Sequence, residues 1–282
     1  MAVYLFPGQG SQMKGMGGTL FAEFPDLVQK ADKILGYSIE TLCLEDPDNQ
    51  LNLTHYTQPA LYVVNALHYL KILHEHPVLP SYLAGHSLGE YSALFAASVF
   101  NFETGLKLVQ KRGELMSQAS GGGMAAVIGL KKEVIQTLLD QSNLNNISIA
   151  NDNSYLQTII TGSNEAVIAA NDLFIKAGAS MFIPLKVSGA FHSSFMNEAQ
   201  QVFSDYLSQF KLNAPHIPVI ANVNAMPYQN DKLFSNLSMQ INHPVLWTQS
   251  IEYLLAKGET EFTEIGPGKV LTGLVRKIKN GQ

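Results

Sequence analysis

The apolar positions fall first into short blocks and then into longer periodic ones. Val3–Phe6 is a strand-length apolar run that Pro7-Gly8 stops. Phe24–Leu35 spaces its apolar residues as a helix does and meets Gly36. Gln58-Pro59 leads into Ala60–Leu73, a mostly apolar stretch that predicts a helix with proline at an early position. Tyr82–Ala84 is a candidate central strand, and Glu90–Ser98, rich in Ala and Ser, suits a helix lying close on a sheet. Strands alternating with helices predict an α/β domain with parallel pairing.

After Gly121-Gly122-Gly123, which reads as a hinge, the pattern changes. Met124–Leu130 has strand character, Lys131–Asp140 helical, Ile147–Asn151 and Gln157–Thr161 strand, Asn164–Ala177 helical up to Gly178, and Ser180–Val187 strand. That order is βαββαβ, the ferredoxin-like unit. The expectation is an inserted small domain over 123–187. A large domain would then consist of 1–122 and 188–282, with the second part resuming at Ser188. Clefts between domains are favoured ligand sites.

Composition narrows the classes. The 282 residues are 46% hydrophobic and 15% charged, which suits a large core and argues against disorder. A net charge of -5 argues against a nucleic-acid binder. The single cysteine, Cys43, forms no internal disulfide and fits a reducing, cytoplasmic setting. The apolar N-terminus lacks a basic n-region and a long h-region, so no signal peptide is expected. No apolar run approaches the ~20 residues of a membrane span. The expected partners exclude nucleic acid and membrane, and the chain is expected to be a monomer.

The chemistry concentrates at "LAGHSLGEYSA". Gly85-His86-Ser87-Leu88-Gly89 matches G-x-S-x-G, a sharp strand-to-helix turn that presents a serine at the edge of a sheet. It predicts an α/β-hydrolase-like large domain with a parallel sheet. Small flanking residues are needed because the turn is strained, and the Leu88 N–H would face a developing oxyanion. Serine needs a base. Of eight histidines, His68, His74 and His76 lie on or just after a helix, and His86 points away from its neighbour on such a turn. His192, in "VSGAFHSSF", lies where the chain re-enters the large domain and is the better candidate. Gly8-Gln9-Gly10 lacks the G-K-[ST] ending of a phosphate loop. It is either an ordinary tight turn or a place where the Gln9 backbone can approach a reacting carbonyl. On a helix over Leu106–Met116, Arg112 falls on the apolar half, between Leu108/Leu115 and Val109/Met116. It could snorkel, pair with a buried acid, or grip a substrate carboxylate.

Together these motifs resemble the malonyl-CoA:acyl carrier protein transacylases over nearly the whole chain. The resemblance rests on Phe6-Pro7-Gly8-Gln9-Gly10-Ser11-Gln12, Thr57-Gln58-Pro59-Ala60, Gly85-His86-Ser87-Leu88-Gly89-Glu90, Arg112-Gly113, Gly189-Ala190-Phe191-His192-Ser193, Gln240 to Trp247, and Glu264-Ile265-Gly266-Pro267-Gly268. It implies that Ser87 carries the acyl group, His192 is its base, and Gln9 with the Leu88 amide forms the oxyanion hole. It implies that Arg112 binds the free carboxylate of malonate. Gln58 and Asn151 would line the cleft, Phe191 would disfavour a 2-methyl group, and the Gln240 carbonyl would orient the histidine. A Ser-His pair without a third acid suits this chain, for which no third acid suggests itself.

The resemblance implies transfer of malonyl from malonyl-CoA to the phosphopantetheine thiol of an acyl carrier protein, for fatty-acid or polyketide synthesis. No metal or bound cofactor is expected; the phosphopantetheine is carried by the partner. The alternative is a serine acyl hydrolase that clears carrier proteins. An acidic carrier would need a basic patch, for which Lys131, Lys132, Arg276, Lys277 and Lys279 are candidates.

Overall fold

A computed structural model describes residues 2–144, 146–187 and 189–282. Ser188, the expected re-entry point of the large domain, and Met1, its expected first residue, lie outside the described residues. Two sheets organise the chain. In the first, β1 (Val3–Phe6), β2 (Tyr82–Gly85), β7 (Val219–Ile220) and β8 (Phe262–Glu264) lie in the order β7-β2-β1-β8, all parallel. In the second, β3 (Gly122–Ile128), β4 (Ile147–Ser154), β5 (Gln157–Ser163) and β6 (Met181–Pro184) lie in the order β4-β5-β3-β6, all antiparallel. Helices Lys132–Gln141 and Asn164–Lys176 complete the βαββαβ order, and this is the ferredoxin-like topology.

Both faces of the parallel sheet are covered, which is why β1, β2 and β7 are apolar without alternation, while the edge strand β8 keeps Thr263 exposed. Val3, Leu5, Ala84 and Ile220 pack with Trp247, Ile251, Leu271 and Leu274 from helices Trp247–Ala256 and Val270–Lys279. Phe6 and Leu83 join the larger core on the other side. That core is built around helix Thr54–Glu75, where every residue from Thr57 to Leu67 is buried. This helix starts six residues earlier than the proline suggested. Thr57 Oγ1 donates to the Leu51 and Leu53 carbonyls at 2.6 and 3.1 Å and ties the entry down. Pro59 then falls in the second turn, where it leaves the His55 carbonyl without its intrahelical N–H partner.

The antiparallel sheet alternates. Ala125 and Val127 of β3 pack under the two helices with Ile160, Val167 and Phe174. Met124, Ala126 and Ile159 turn the other way and belong to the large core. The glycine triplet is not a free hinge. Gly122 and Gly123 are within β3, and a Cβ on Gly122 would collide with the Ala190 backbone. Among the described residues no helix is long and apolar enough to cross a membrane.

Candidate active site

Parallel strands end on one side of their sheet, and the turns there face the antiparallel sheet across a cleft. A cavity of about 300 Å³ occupies it, lined by Gln9, Gln58, Ser87, Leu88, Arg112, Asn151, Phe191 and His192, among others. All the sequence-predicted site residues except Gln240 therefore share one cavity. Gln240 lies immediately behind it, fully buried.

The turn after β2 holds Ser87 at φ 50°, a left-handed conformation rare for a residue with a side chain. It survives because its flanks are glycine: a Cβ on Gly85 would strike the Gly89 backbone, and one on Gly89 the Phe6 carbonyl. Helix Gly89–Ala96 follows at once. Among the described residues, the backbone N–H groups of Gln9 and Leu88 donate to no protein acceptor, and both residues line the cavity. The Gln9 side chain points elsewhere, its Nε2 donating to Thr54 Oγ1 at 3.3 Å.

His192 also has a positive φ, 59°, and its Nε2 lies 2.8 Å from Ser87 Oγ. Its Nδ1 faces the carbonyls of Gln240 at 2.9 Å and His243 at 3.1 Å. Carbonyls only accept, so the ring proton sits on Nδ1 and the Nε2 lone pair faces the serine hydroxyl. Two backbone carbonyls thus take the place that a carboxylate fills in a triad. Burial first, and the nearby Arg112 cation second, push the His192 pKa down to about 3. His86 turns away from Ser87; its Nε2 lies 2.8 Å from Asn153 Oδ1 and its ring meets Trp247 edge-on.

Arg112 comes from helix Phe102–Gln118, whose start is fixed by the Asn101 side chain accepting from the Thr104 N–H at 2.8 Å. The side chain is 1% exposed. Nη1 donates to Gln58 Oε1 at 2.7 Å, and Nη2 donates to Ser87 Oγ at 3.1 Å. Nε and Nη2 donate to Gln240 Oε1 at 3.2 and 2.9 Å, and the guanidinium sits over the Tyr91 ring. Of the three options open for Arg112, snorkelling is excluded by its burial. Direct contact with a buried acid is excluded as well: among the described residues no carboxylate lies within ion-pair distance, and the fully buried Glu90 acts on the guanidinium only through space. A buried cation held only by neutral amides and a hydroxyl, at a cavity wall, is set to receive an anion from outside.

The remaining lining is mostly apolar. Phe191, 5% exposed, stands with Met116, Met124, Ile159, Leu185 and Val187. Asn151 is on β4, where that strand meets Val245 of the other lobe. Among the basic candidates, Lys132 is engaged with Asp152 at 2.8 Å, Lys277 with Gln157 at 2.8 Å, and Lys279 with the Thr260 carbonyl at 2.6 Å. Lys131 and Arg276 have no such partner among the described residues.

Two contributors escaped the sequence reading. The His243 carbonyl was not singled out, although "INHP" follows Gln240 directly. Asn222, after β7, accepts from the Ser87 N–H at 2.8 Å and donates to the Gly85 carbonyl at 2.7 Å. The only signal for it was an asparagine right after a short apolar run.

A model of the acyl transferase domain matches residues 3–280. The chain is 54% identical over 280 residues to the polyketide biosynthesis malonyl CoA-acyl carrier protein transacylase PksC of Bacillus subtilis (strain 168), covering 99% of this chain and 97% of that protein. Its fold is similar to the crystal structure of the malonyl CoA-acyl carrier protein transacylase from Burkholderia pseudomallei, with TM-score 0.96 and 50% identity over 100% of this chain and 99% of that one. It is also similar to a malonyl-transacylase solved in complex with its type II PKS acyl-carrier protein, with TM-score 0.94 and 36% identity over 99% of this chain and 93% of that one.

Proposed function

The chain belongs to the acyl transferase family, and on that premise we propose that it moves malonyl groups from malonyl-CoA to the phosphopantetheine thiol of an acyl carrier protein. The observation that carries the reading is Arg112: a buried guanidinium without a carboxylate, 3.1 Å from the hydroxyl that faces an imidazole. A neutral acyl chain has no use for it; the free carboxylate of a dicarboxylic thioester does.

His192 Nε2 takes the Ser87 proton as Oγ attacks the thioester carbonyl. The tetrahedral oxyanion is held by the Gln9 and Leu88 N–H groups, each worth about 3 kcal/mol in such sites. Collapse breaks the C–S bond, the coenzyme A thiolate takes the proton from His192, and malonyl-serine remains. The carrier thiol then gives its proton to His192 and attacks the ester. The second oxyanion expels the Ser87 alkoxide, which recovers that proton. The Gln240 and His243 carbonyls stabilise the imidazolium in both halves. Arg112 holds the malonyl carboxylate, with Gln58 and Gln240 fixing the guanidinium plane, while Phe191 and Asn151 shape the remaining wall. No bound metal or redox group takes part. The chain works in the cytoplasm as a monomer of two domains, 1–122 with 188–282 and the inserted 123–187. Its carrier docks near Lys131 and Arg276.

Incubation with radiolabelled malonyl-CoA is expected to label Ser87, to leave Ser87→Ala unlabelled, and to release the label onto added holo carrier protein faster than into water. Release mainly into water would favour the acyl hydrolase instead. Absence of any label on the wild-type chain would reject a covalent mechanism.

A further inference from the structure

The Ser87 turn is held by side chains far away in sequence. Asn222 spans it: Nδ2 donates to the Gly85 carbonyl at 2.7 Å, and Oδ1 accepts from the Ser87 N–H at 2.8 Å. Gly85 offers only an acceptor and Ser87 only a donor, so these partners fix which end of the amide is which. On the other side of Ser87, Gln240 Nε2 donates to its carbonyl at 2.6 Å. Asn222 is 2% exposed and is itself pinned through its backbone. Its N–H donates to Glu90 Oε1 at 3.0 Å, and its carbonyl accepts from the Leu246 N–H at 2.9 Å. Glu90 Oε1 also accepts from Tyr228 Oη at 2.7 Å, and the Glu90 side chain is fully buried.

A left-handed backbone at a non-glycine residue costs of order 1–3 kcal/mol and persists only where its surroundings over-determine it. Here both peptide groups of Ser87 are clamped by carboxamides. We infer that Asn222, anchored by Glu90, is a positioning residue for the nucleophile: it holds the Ser87 peptide so that Oγ meets His192 and the next N–H faces the cavity. Asn222 touches no reacting atom in this arrangement. The inference rests on the reading of Ser87 as the acyl carrier.

The test is the pre-steady-state burst of malonyl-serine formation, where amplitude counts competent chains and rate reports alignment. Asn222→Ala is expected to keep an amplitude near one per chain while the burst rate falls about 100-fold, the scale of a small misplacement of a reacting group. The half-saturating malonyl-CoA concentration should stay within about twofold, because no substrate contact is removed. Asn222→Asp, equal in shape, keeps Oδ1 but turns its other oxygen towards the Gly85 carbonyl. Protonation restores a donor there, so its rate relative to wild type should rise as pH falls from about 8 to about 5. The groups facing this region that titrate or carry charge are Glu90, Tyr228, His192, His86 and Arg112; burial raises the Glu90 carboxyl to about 7, inside this span, so Asn222→Ala, which has no carboxylate at 222, is profiled over the same range as the control. The inference is overturned if Asn222→Ala keeps the wild-type burst rate at full or reduced amplitude, or if the Asn222→Asp ratio is flat with pH. A wild-type chain with no burst would instead refute the Ser87 reading.

Discussion

The parallel and antiparallel sheets meet at the same cavity but supply different things. The parallel strands are two to four residues long, and their turns deliver Gln9, Ser87 and Asn222. Each turn is fixed at its root by a sheet covered on both faces, so a strained backbone can be held there. The antiparallel strands facing the cavity are longer, seven or eight residues in β3, β4 and β5, and they turn one alternating face to it. That face supplies Met124, Asn151 and Ile159, none of which has a titratable side chain. Position is a property of strand ends, whereas shape and dryness are properties of a strand face. On this division, changes on the parallel side should alter which bonds form, and changes on the antiparallel side should alter what else gets in.

The largest expected effect is on the parallel side. Arg112→Ala removes a buried cation from its anion, a loss of about 4 kcal/mol or about 1000-fold in kcat/KM for malonyl-CoA. Acetyl-CoA has no carboxylate to lose, so its kcat/KM should change by less than about tenfold. Measuring both substrates on one carrier protein decides it. An equal fall for the two would make Arg112 a structural strut and not a selector.

The second effect is a pH dependence. His192 must be neutral to act as base, and its pKa is pushed down to about 3 by burial and then by Arg112. A group so depressed stays neutral until the pH falls through the lowered value. Wild-type kcat/KM should therefore change less than about twofold between pH 7.5 and pH 5.5, a span over which an ordinary imidazole would lose about tenfold. Removing the cation raises the pKa, so in Arg112→Ala, assayed with acetyl-CoA, the acid limb should move towards neutral pH. A limb that stays put or moves to lower pH would mean that Arg112 exerts no field on the base. On the proposed reading, a malonyl carboxylate on Arg112 would offset the same field and make His192 more basic only when that substrate is loaded.

Much of this was legible because it is local. The glycines at 85 and 89 are spaced for a tight turn whatever surrounds them, and helical periodicity alone put Arg112 among apolar neighbours, where it is 1% exposed. The βαββαβ order was readable because most of its elements, β6 apart, are seven residues or longer. Legibility failed where the signal is short or distant. β7 and β8 have two and three residues, too few to alternate, so half of the parallel sheet gave no sign of itself. The Asn222 clamp joins positions 135 residues apart, and the His243 contribution is a carbonyl that every residue owns. Gly122 and Gly123 misled because the same residue serves a hinge and a close backbone approach.

The smallest effect tests the antiparallel side. Asp152, on β4, ties it to the other lobe: it accepts from Thr248 Oγ1 at 3.0 Å and Gln249 Nε2 at 2.8 Å there, and from Lys132 Nζ of its own lobe at 2.8 Å. Its neighbours Asn151 and Asn153 both line the cavity, so a slackened Asp152 loosens the wall and leaves Ser87 and His192 in place. Asp152→Ala should keep the burst rate within about threefold, yet speed hydrolysis of the malonyl-enzyme about fivefold as water gains entry. Thermal stability should fall, since a partly buried Lys132 loses its counter-ion. The ratio of hydrolysis to transfer is the decisive number, because instability lowers both together. If that ratio holds while the melting temperature drops, the wall does not keep water out. Dryness would then come from the parallel side as well, through the turns that already hold the chemistry.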